Sequence, residues 1–246
     1  MKLTKLIIGI LVSLAAGHMV FGQSNEGVID YEVRIDLHRT LPSDRPELKS
    51  TVPNFRTTHQ QLFFNSNESM YKAVESDDDG DFDSDGGGMR IKLQQPQVEI
   101  YFDRATSKRI TQQEFNGKMY VIEDTLSMTP WKFGTETKVI IGYDCKQATY
   151  YNEERKQNVV AWFTPKLRSS LGPDHFLTLP GTILEVNINE GERIITAQSL
   201  TSRRLKKGDI KRPTQGIKIT HEEFRRMVEQ QMERMRANGG NMIIRN

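Results

Sequence analysis

The chain holds a single cysteine and only five histidines in 246 residues, and each scarcity removes a class of chemistry. One cysteine cannot close an internal disulfide, so Cys145 is either a free buried thiol or an intermolecular partner. No HExxH, GxSxG, CxxC or glycine-rich phosphate loop occurs anywhere in the sequence. His38, His59, His175 and His221 stand isolated from one another, and His18 lies in the N-terminal apolar segment. A Cys145–His175 dyad would need the two to meet in space. An activated thiolate also wants an exposed, electropositive turn or helix start, whereas Cys145 lies in strand-like surroundings. The expectation is a protein that is not an enzyme, with no catalytic residues and no cofactor.

An excess of one charge is missing too. Lys and Arg total 34 against 32 Asp and Glu. Two of the lysines, Lys2 and Lys5, precede an apolar run over residues 6–14 that ends in small residues, the pattern of a secretory signal peptide. That run is too short to span a bilayer. With cleavage expected after Gly22, the mature chain starts at Gln23 and carries 32 bases against 32 acids. A neutral chain gives no reason to expect a nucleic-acid partner. No cysteine follows the cleavage point, so no lipid anchor and no membrane span are expected after processing. Residues 23–246, about 224 in all, suffice for one substantial domain.

The charge that is present is segregated. Residues 75–88 form an acidic, glycine-rich stretch, with seven acids and no base between Glu75 and Asp85. Residues 203–219 read as a basic linker, with six bases and one acid between Arg203 and Arg212. Both are expected to be solvated loops. Asp81, Asp83, Asp85 and Gly86 match the first positions of a calcium loop, yet Lys92 stands where a bidentate carboxylate is required. The three aspartates are therefore weak metal candidates.

Periodicity predicts a mostly β fold. Ile29, Tyr31, Val33, Ile35 and Leu37 alternate with Asp30, Glu32, Arg34, Asp36 and His38, so residues 27–38 read as a strand with one face to a core and one to water. Further strands are expected over 61–65, 70–74, 98–103, 108–115, 118–123, 138–151, 159–163, 182–188 and 193–200. Asn116-Gly117 supplies the positive φ angles of a tight hairpin, and Glu190-Gly191 does similar service. Strands joined by short turns predict an antiparallel meander, a curved sheet or incomplete barrel. Alternation from Val139 to Tyr143, with Ala148, Tyr150 and Tyr151 nearby, predicts that Cys145 packs inward as a compact hydrophobe.

One long helix is expected over residues 220–238. Thr220 and Glu223 form a capping box, and Phe224, Met227, Val228, Gln231, Met232 and Met235 line one amphipathic face. Docking on the sheet or on a partner accounts for that stripe. Met232 and Met235 are also weak candidates for a copper(I) thioether site. Gly239-Gly240 stops the helix, and residues 242–244 could add a last strand.

Four ordered signatures lie between residues 139 and 188: Gly142-Tyr143-Asp144-Cys145-Lys146, Trp162-Phe163, Gly172-Pro173-Asp174-His175-Phe176, and Thr178-Leu179-Pro180-Gly181-Thr182-Ile183. Their order and spacing resemble the GLPGLI family of bacterial envelope proteins. Gly142, Tyr143, Cys145, Trp162, Gly172, Pro173, Leu179, Pro180 and Gly181 carry the likeness, while Thr178 and Thr182 replace the glycine and leucine of the name motif. Threonine lacks glycine's freedom at positive φ, so the turn at Thr178 is expected to differ. The resemblance implies no reaction. It implies an exported protein of the periplasm or outer face of a Gram-negative envelope. Two functions fit that setting: a non-catalytic protein binding an apolar ligand or an envelope partner, with Tyr143, Trp162 and Phe163 lining a concave face, or a metal-handling protein using the acidic loop or the methionine helix.

Overall fold

The computed structural model describes residues 25–41, 46–74 and 97–237, with Thr40 and residues 235–237 described by backbone alone. Residues 1–24, where a signal peptide is expected, the acidic stretch with Asp81, Asp83 and Asp85, and the tail beyond residue 237 lie outside the described residues.

Twelve strands form one open sheet. In chain order they are β1 (Gly27–Asp36), β2 (Phe55–Phe64), β3 (Glu68–Ala73), β4 (Val98–Asp103), β5 (Lys108–Phe115), β6 (Lys118–Thr125), β7 (Lys132–Ile140), β8 (Tyr143–Asn152), β9 (Gln157–Thr164), β10 (Thr182–Ile188), β11 (Arg193–Thr201) and β12 (Ile217–Ile219). Among the described residues two α-helices accompany them, the single turn α1 (Leu37–Thr40) and the long α2 (His221–Ala237), with short 3-10 turns at Pro46–Ser50 and Asn189–Gly191. The spatial order is β12-β6-β5-β4-β3-β2-β1-β11-β10-β9-β8-β7. Two antiparallel meanders, β1 to β6 and β7 to β11, are thus joined by the pairing of β1 with β11, and β12 alone adds in parallel, against β6.

Local chemistry explains most of these elements. Asn116 and Gly117 hold φ angles of 52° and 73°, as a two-residue hairpin requires. Strand β1 stops two residues earlier than its alternation predicts. The Asp36 carboxylate accepts from Arg39 N at 3.3 Å, capping α1 and drawing Leu37 and His38 out of the strand. As a result Ile35 is half-buried, while Ile29, Tyr31 and Val33 are inside. Strand β2 begins at Phe55, ahead of the expected 61, because its polar N-terminal half pairs with β1 rather than filling a core.

The expected single strand over 138–151 is instead a hairpin. Ile141 and Gly142 take φ angles of 43° and 83° and turn the chain between β7 and β8. Hence Ile140 faces the core and Val139 is 67% exposed, opposite to the predicted alternation. A β-branched residue at positive φ is unfavourable, which is why Ile141-Gly142 lacks the usual turn signature.

The main core lies on one face of the sheet. Ile29, Tyr31, Val33, Leu62, Phe64, Tyr71 and Ile100 from the first meander share it with Cys145, Val159, Phe163, Leu184 and Ile195 from the second. On the other face of β1 to β6, Val28, Phe63, Met70, Tyr101, Ile110 and Val121 form a second cluster, covered by Leu205 and Ile210. The basic stretch exposes Arg204, Lys206, Lys207, Lys211 and Arg212 to solvent, as a loop would, and its two apolar residues make it a strap as well. Arg203 Nη1 and Lys206 N both bind Asp209 Oδ2, at 2.9 and 2.8 Å, which curls the strap so that its two apolar residues point at the sheet. For the same reason the start of β1 is buried on both faces, not on one.

Helix α2 shows how strongly the sheet curves. Phe224 packs edge-on against Phe115 and Tyr120 at the β5–β6 end, with ring centroids 5.7 and 5.6 Å away. The next residue, Arg225, reaches Glu154 in the β8–β9 turn with Nε to Oε1 at 3.2 Å. Strands β6 and β8 are nine steps apart in the sheet, which in a flat sheet of ~4.8 Å spacing would separate them by ~43 Å. Only a sheet curled back on itself brings both within reach of adjacent side chains. The capping box holds as expected, with Glu223 N to Thr220 Oγ1 at 3.2 Å and Thr220 N to Glu223 Oε2 at 3.0 Å.

Candidate functional site

Residues 165–181, which carry two of the four motifs, fold against the inner face of the sheet. Leu171, Phe176, Leu177 and Leu179 are all buried there. Backbone bonds from Ile183 N to Leu171 O (2.8 Å) and from Ser170 N to Leu179 O (3.3 Å) tie the segment to itself and to β10. Gly181 is required by space rather than by angle, since a Cβ there would lie 2.3 Å from Thr164 O. The two threonines that depart from the name motif have hydrogen-bonding work. Thr178 Oγ1 accepts from Trp131 Nε1 at 2.8 Å, and the buried Thr182 hydroxyl donates to Arg168 O at 2.7 Å. Thr178 keeps a negative φ, so no glycine is needed there.

Within this segment sits a charged group that the sequence did not single out as a unit. The Asp174 carboxylate accepts from His175 Nδ1 at 3.0 Å and forms an ion pair with Arg193 Nη1 of β11 at 2.9 Å. Burial alone would raise its pKa, but the charges of His175 and Arg193 and the His175 hydrogen bond hold it well below the usual carboxylate range. Tyr71 of β3 lies close by, its hydroxyl buried and without a partner. Burial, and then the charge of Asp174, pushes that hydroxyl's pKa far up. Asp174 and His175 were visible as a motif, but the ion pair of Asp174 with Arg193 depends on pairing across the sheet.

Cys145 is fully buried, with Sγ 3.5 Å from Tyr143 O. Burial pushes its pKa up to about 11, against weaker opposing effects of a backbone bond and Lys138. His175 is turned to Asp174, and no hydrogen bond joins it to Cys145 among the described residues. The three aromatics expected on a concave wall differ in their settings. Phe163 is buried in the core, Trp162 lies half-buried with Lys138 Nζ 4.9 Å from its ring, and Tyr143 is half-buried beyond the β7–β8 turn. Of the methionine pair, Met232 is 51% exposed on α2, and the Met235 side chain lies outside the described residues. Among the described residues no three His, Cys, Asp or Glu side chains converge as metal ligands, and no helix is long and apolar enough to cross a membrane.

An opening lies elsewhere, where the strap returns to the sheet. A cleft of about 510 Å³ lies between β5, β6, β12 and the start of α2. Ile110, Val121 and Ile219 make an apolar floor, with Pro213 beside it. Arg212, Lys218, Glu123 and Glu223 stand around them, two charges of each sign, and Thr214 and Thr220 complete the lining. The acids are already engaged. Glu123 accepts from Lys108 Nζ at 2.7 Å and lies 3.6 Å from Arg212, and Glu223 serves the cap of α2. Both carboxyls are held below their ordinary pKa, Glu123 first by the Lys108 hydrogen bond and Glu223 first by the Thr220 backbone amide. The cleft thus combines apolar surface with fixed charge. Its basic residues were legible as a charged run, but its floor was not, because β12 pairs with a strand about a hundred residues earlier.

Fold and cleft together define a curved, open, mostly antiparallel β-sheet protein with a surface cleft at one end of the sheet. A family described as a protein of unknown function (Porph_ging) matches residues 151–185, the stretch holding Trp162, Gly172, Pro173 and the Leu179-Pro180-Gly181 turn. No curated protein matches. Among solved structures, PNGF-II in its P21 crystal form is similar over 84% of this chain at 15% identity and a TM-score of 0.56. The C2 form of PNGF-II gives the same TM-score and identity over 83% of the chain. This chain spans about a third of the length of those PNGF-II chains, 34% and 33%. At that identity the likeness is one of fold.

Proposed function

We propose that the protein is an exported, non-catalytic binding protein of the cell envelope, whose cleft takes the apolar body of a ligand. One observation carries this reading: the 510 Å³ opening floored by Ile110, Val121 and Ile219 and ringed by fixed charges. Binding sites are commonly concave, largely apolar and marked by a few placed polar groups. The inner face of the curved sheet is occupied by residues 165–181, so an apolar ligand is better served by the cleft than by the core aromatics. Export rests on the basic, apolar and small-residue pattern of residues 1–22, and an envelope role on the likeness of residues 139–188 to GLPGLI proteins.

The test uses the apolar dye 1-anilinonaphthalene-8-sulfonate and a medium-chain fatty acid as competitor. The parent protein should bind the dye at one class of site and release it to the fatty acid. Thr214→Trp, which sets an indole at the exposed lip of the cleft, should lose most of the dye binding at an unchanged melting temperature. Undiminished binding in that variant refutes the cleft as the site. Export is checked separately by N-terminal sequencing of envelope-extracted protein, which should begin at Gln23.

A further inference from the structure

A second site stands where the β2–β3 turn, the β4–β5 turn and residues 168–169 meet. Arg168 Nη1 donates to the Asn65 carbonyl, while its own carbonyl holds the Thr182 hydroxyl at 2.7 Å. The side chain is thereby anchored at both ends. Its Nε and Nη2 are nevertheless buried and have no acceptor. Across from it, Arg104 on the β4–β5 turn is exposed and sends Nη2 toward Ser169 Oγ at 3.4 Å. Neither arginine is in an ion pair among the described residues.

The carboxylates at this end are committed elsewhere. Asp103 accepts from Ala105 N and Thr106 N at 2.9 and 3.4 Å, and Glu68 takes the Tyr101 hydroxyl. Two like charges are therefore held close, one of them partly desolvated. Burial and then the charge of Arg104 draw the pKa of Arg168 down to about 10. A buried guanidinium with empty donors beside a second guanidinium is costly unless an anion completes it. Arginine's planar fork matches the oxygens of a phosphate group, and Ser169 adds a hydroxyl donor.

We infer that Arg104, Arg168 and Ser169 form a binding site for a phosphate group, carried either by the free ion or by a lipid headgroup. The site shares no residue with the lining of the apolar cleft. Inorganic phosphate titrated calorimetrically into the full chain at matched ionic strength should bind. Arg104→Ala and Arg168→Lys should each weaken that binding by about tenfold or more, as expected for losing a charge-assisted contact. Arg234→Ala, on the exposed face of α2, should bind as the parent does. Arg104→Ala lies on an exposed turn and keeps the fold, which circular dichroism verifies. Cosedimentation with phosphatidylglycerol vesicles, but not with phosphatidylcholine vesicles, and its competition by phosphate would identify a headgroup as the source. Binding of phosphate alone identifies the free ion. A parent that binds neither, or variants that bind as well as the parent, overturns the inference.

Discussion

Two buried tyrosines in edge-to-face contact should respond oppositely to the same substitution. The rings of Tyr31 and Tyr71 lie 6.1 Å apart at 69°, and both side chains are inside the main core. The Tyr31 hydroxyl donates to Ile183 O at 2.6 Å, where the β9–β10 register slips between Ile183 and Glu185. Tyr31→Phe removes a net hydrogen bond of about 1 kcal/mol and leaves a buried carbonyl short of a donor, for a total of about 1–3 kcal/mol. The Tyr71 hydroxyl, by contrast, is buried without a partner. Tyr71→Phe deletes a polar atom that gains nothing from folding, so stability should be unchanged or rise by up to about 1–2 kcal/mol. Each kcal/mol corresponds to roughly 2–4 °C in melting temperature for a domain of this size. Urea denaturation followed by tryptophan fluorescence measures both variants, with calorimetry as a second readout. Equal losses for the two would mean that the Tyr71 hydroxyl has a partner, such as a buried water, and would refute the reasoning.

Four further outcomes follow from the same packing. Val33→Asp places an unpaired carboxylate at a 2% exposed position and should cost several kcal/mol, whereas Arg34→Asp, on the exposed side of the same strand, should cost under about 1 kcal/mol; equal melting shifts would show the register to be wrong. Cys145→Ala should be tolerated better than Cys145→Ser, which carries a hydroxyl into an apolar site, and the native thiol should resist Ellman's reagent; rapid labelling contradicts its burial. Because the folded pKa of Asp174 is depressed, its stabilising effect is complete above the unfolded carboxyl's value near 3.8 and is lost as pH falls below it. Asp174→Asn should therefore flatten the loss of stability between about pH 4 and 2, and an unchanged acid limb would exclude the ion pair as its source. Replacing residues 77–87 by a short Gly/Ser linker should move the melting temperature by only a few degrees, and millimolar calcium should act alike on parent and variant; stabilisation of the parent alone would make the acidic stretch a cation site.

Features legible in the sequence are those whose physics is local. The β1 alternation, the Asn116-Gly117 hairpin and the Thr220–Glu223 capping box each depend on residues a few positions apart, and each is present. Where prediction went astray, a competing interaction prevailed. Asp36 capped a helical turn in place of two strand residues, and Ile141 accepted a positive φ so that β7 and β8 could pair. The motif residues Leu179, Gly181 and Cys145 read as architectural, and their burial agrees with that.

The sequence by itself determined a β-rich chain with a single amphipathic helix, because side-chain period and turn chemistry are written in neighbouring residues. Tertiary structure alone decided what those strands enclose. The parallel pairing of β12 with β6 makes the cleft, the docking of Leu205 and Ile210 turns a basic run into a strap, and the curl of the sheet brings Arg225 to Glu154. Arg104 reaches Ser169 across 65 positions of sequence, and Tyr31 reaches Ile183 across 152. Such contacts arise from the order in which strands pair and from the area a curved sheet must cover, and no periodicity in a linear chain encodes which distant residues share a wall.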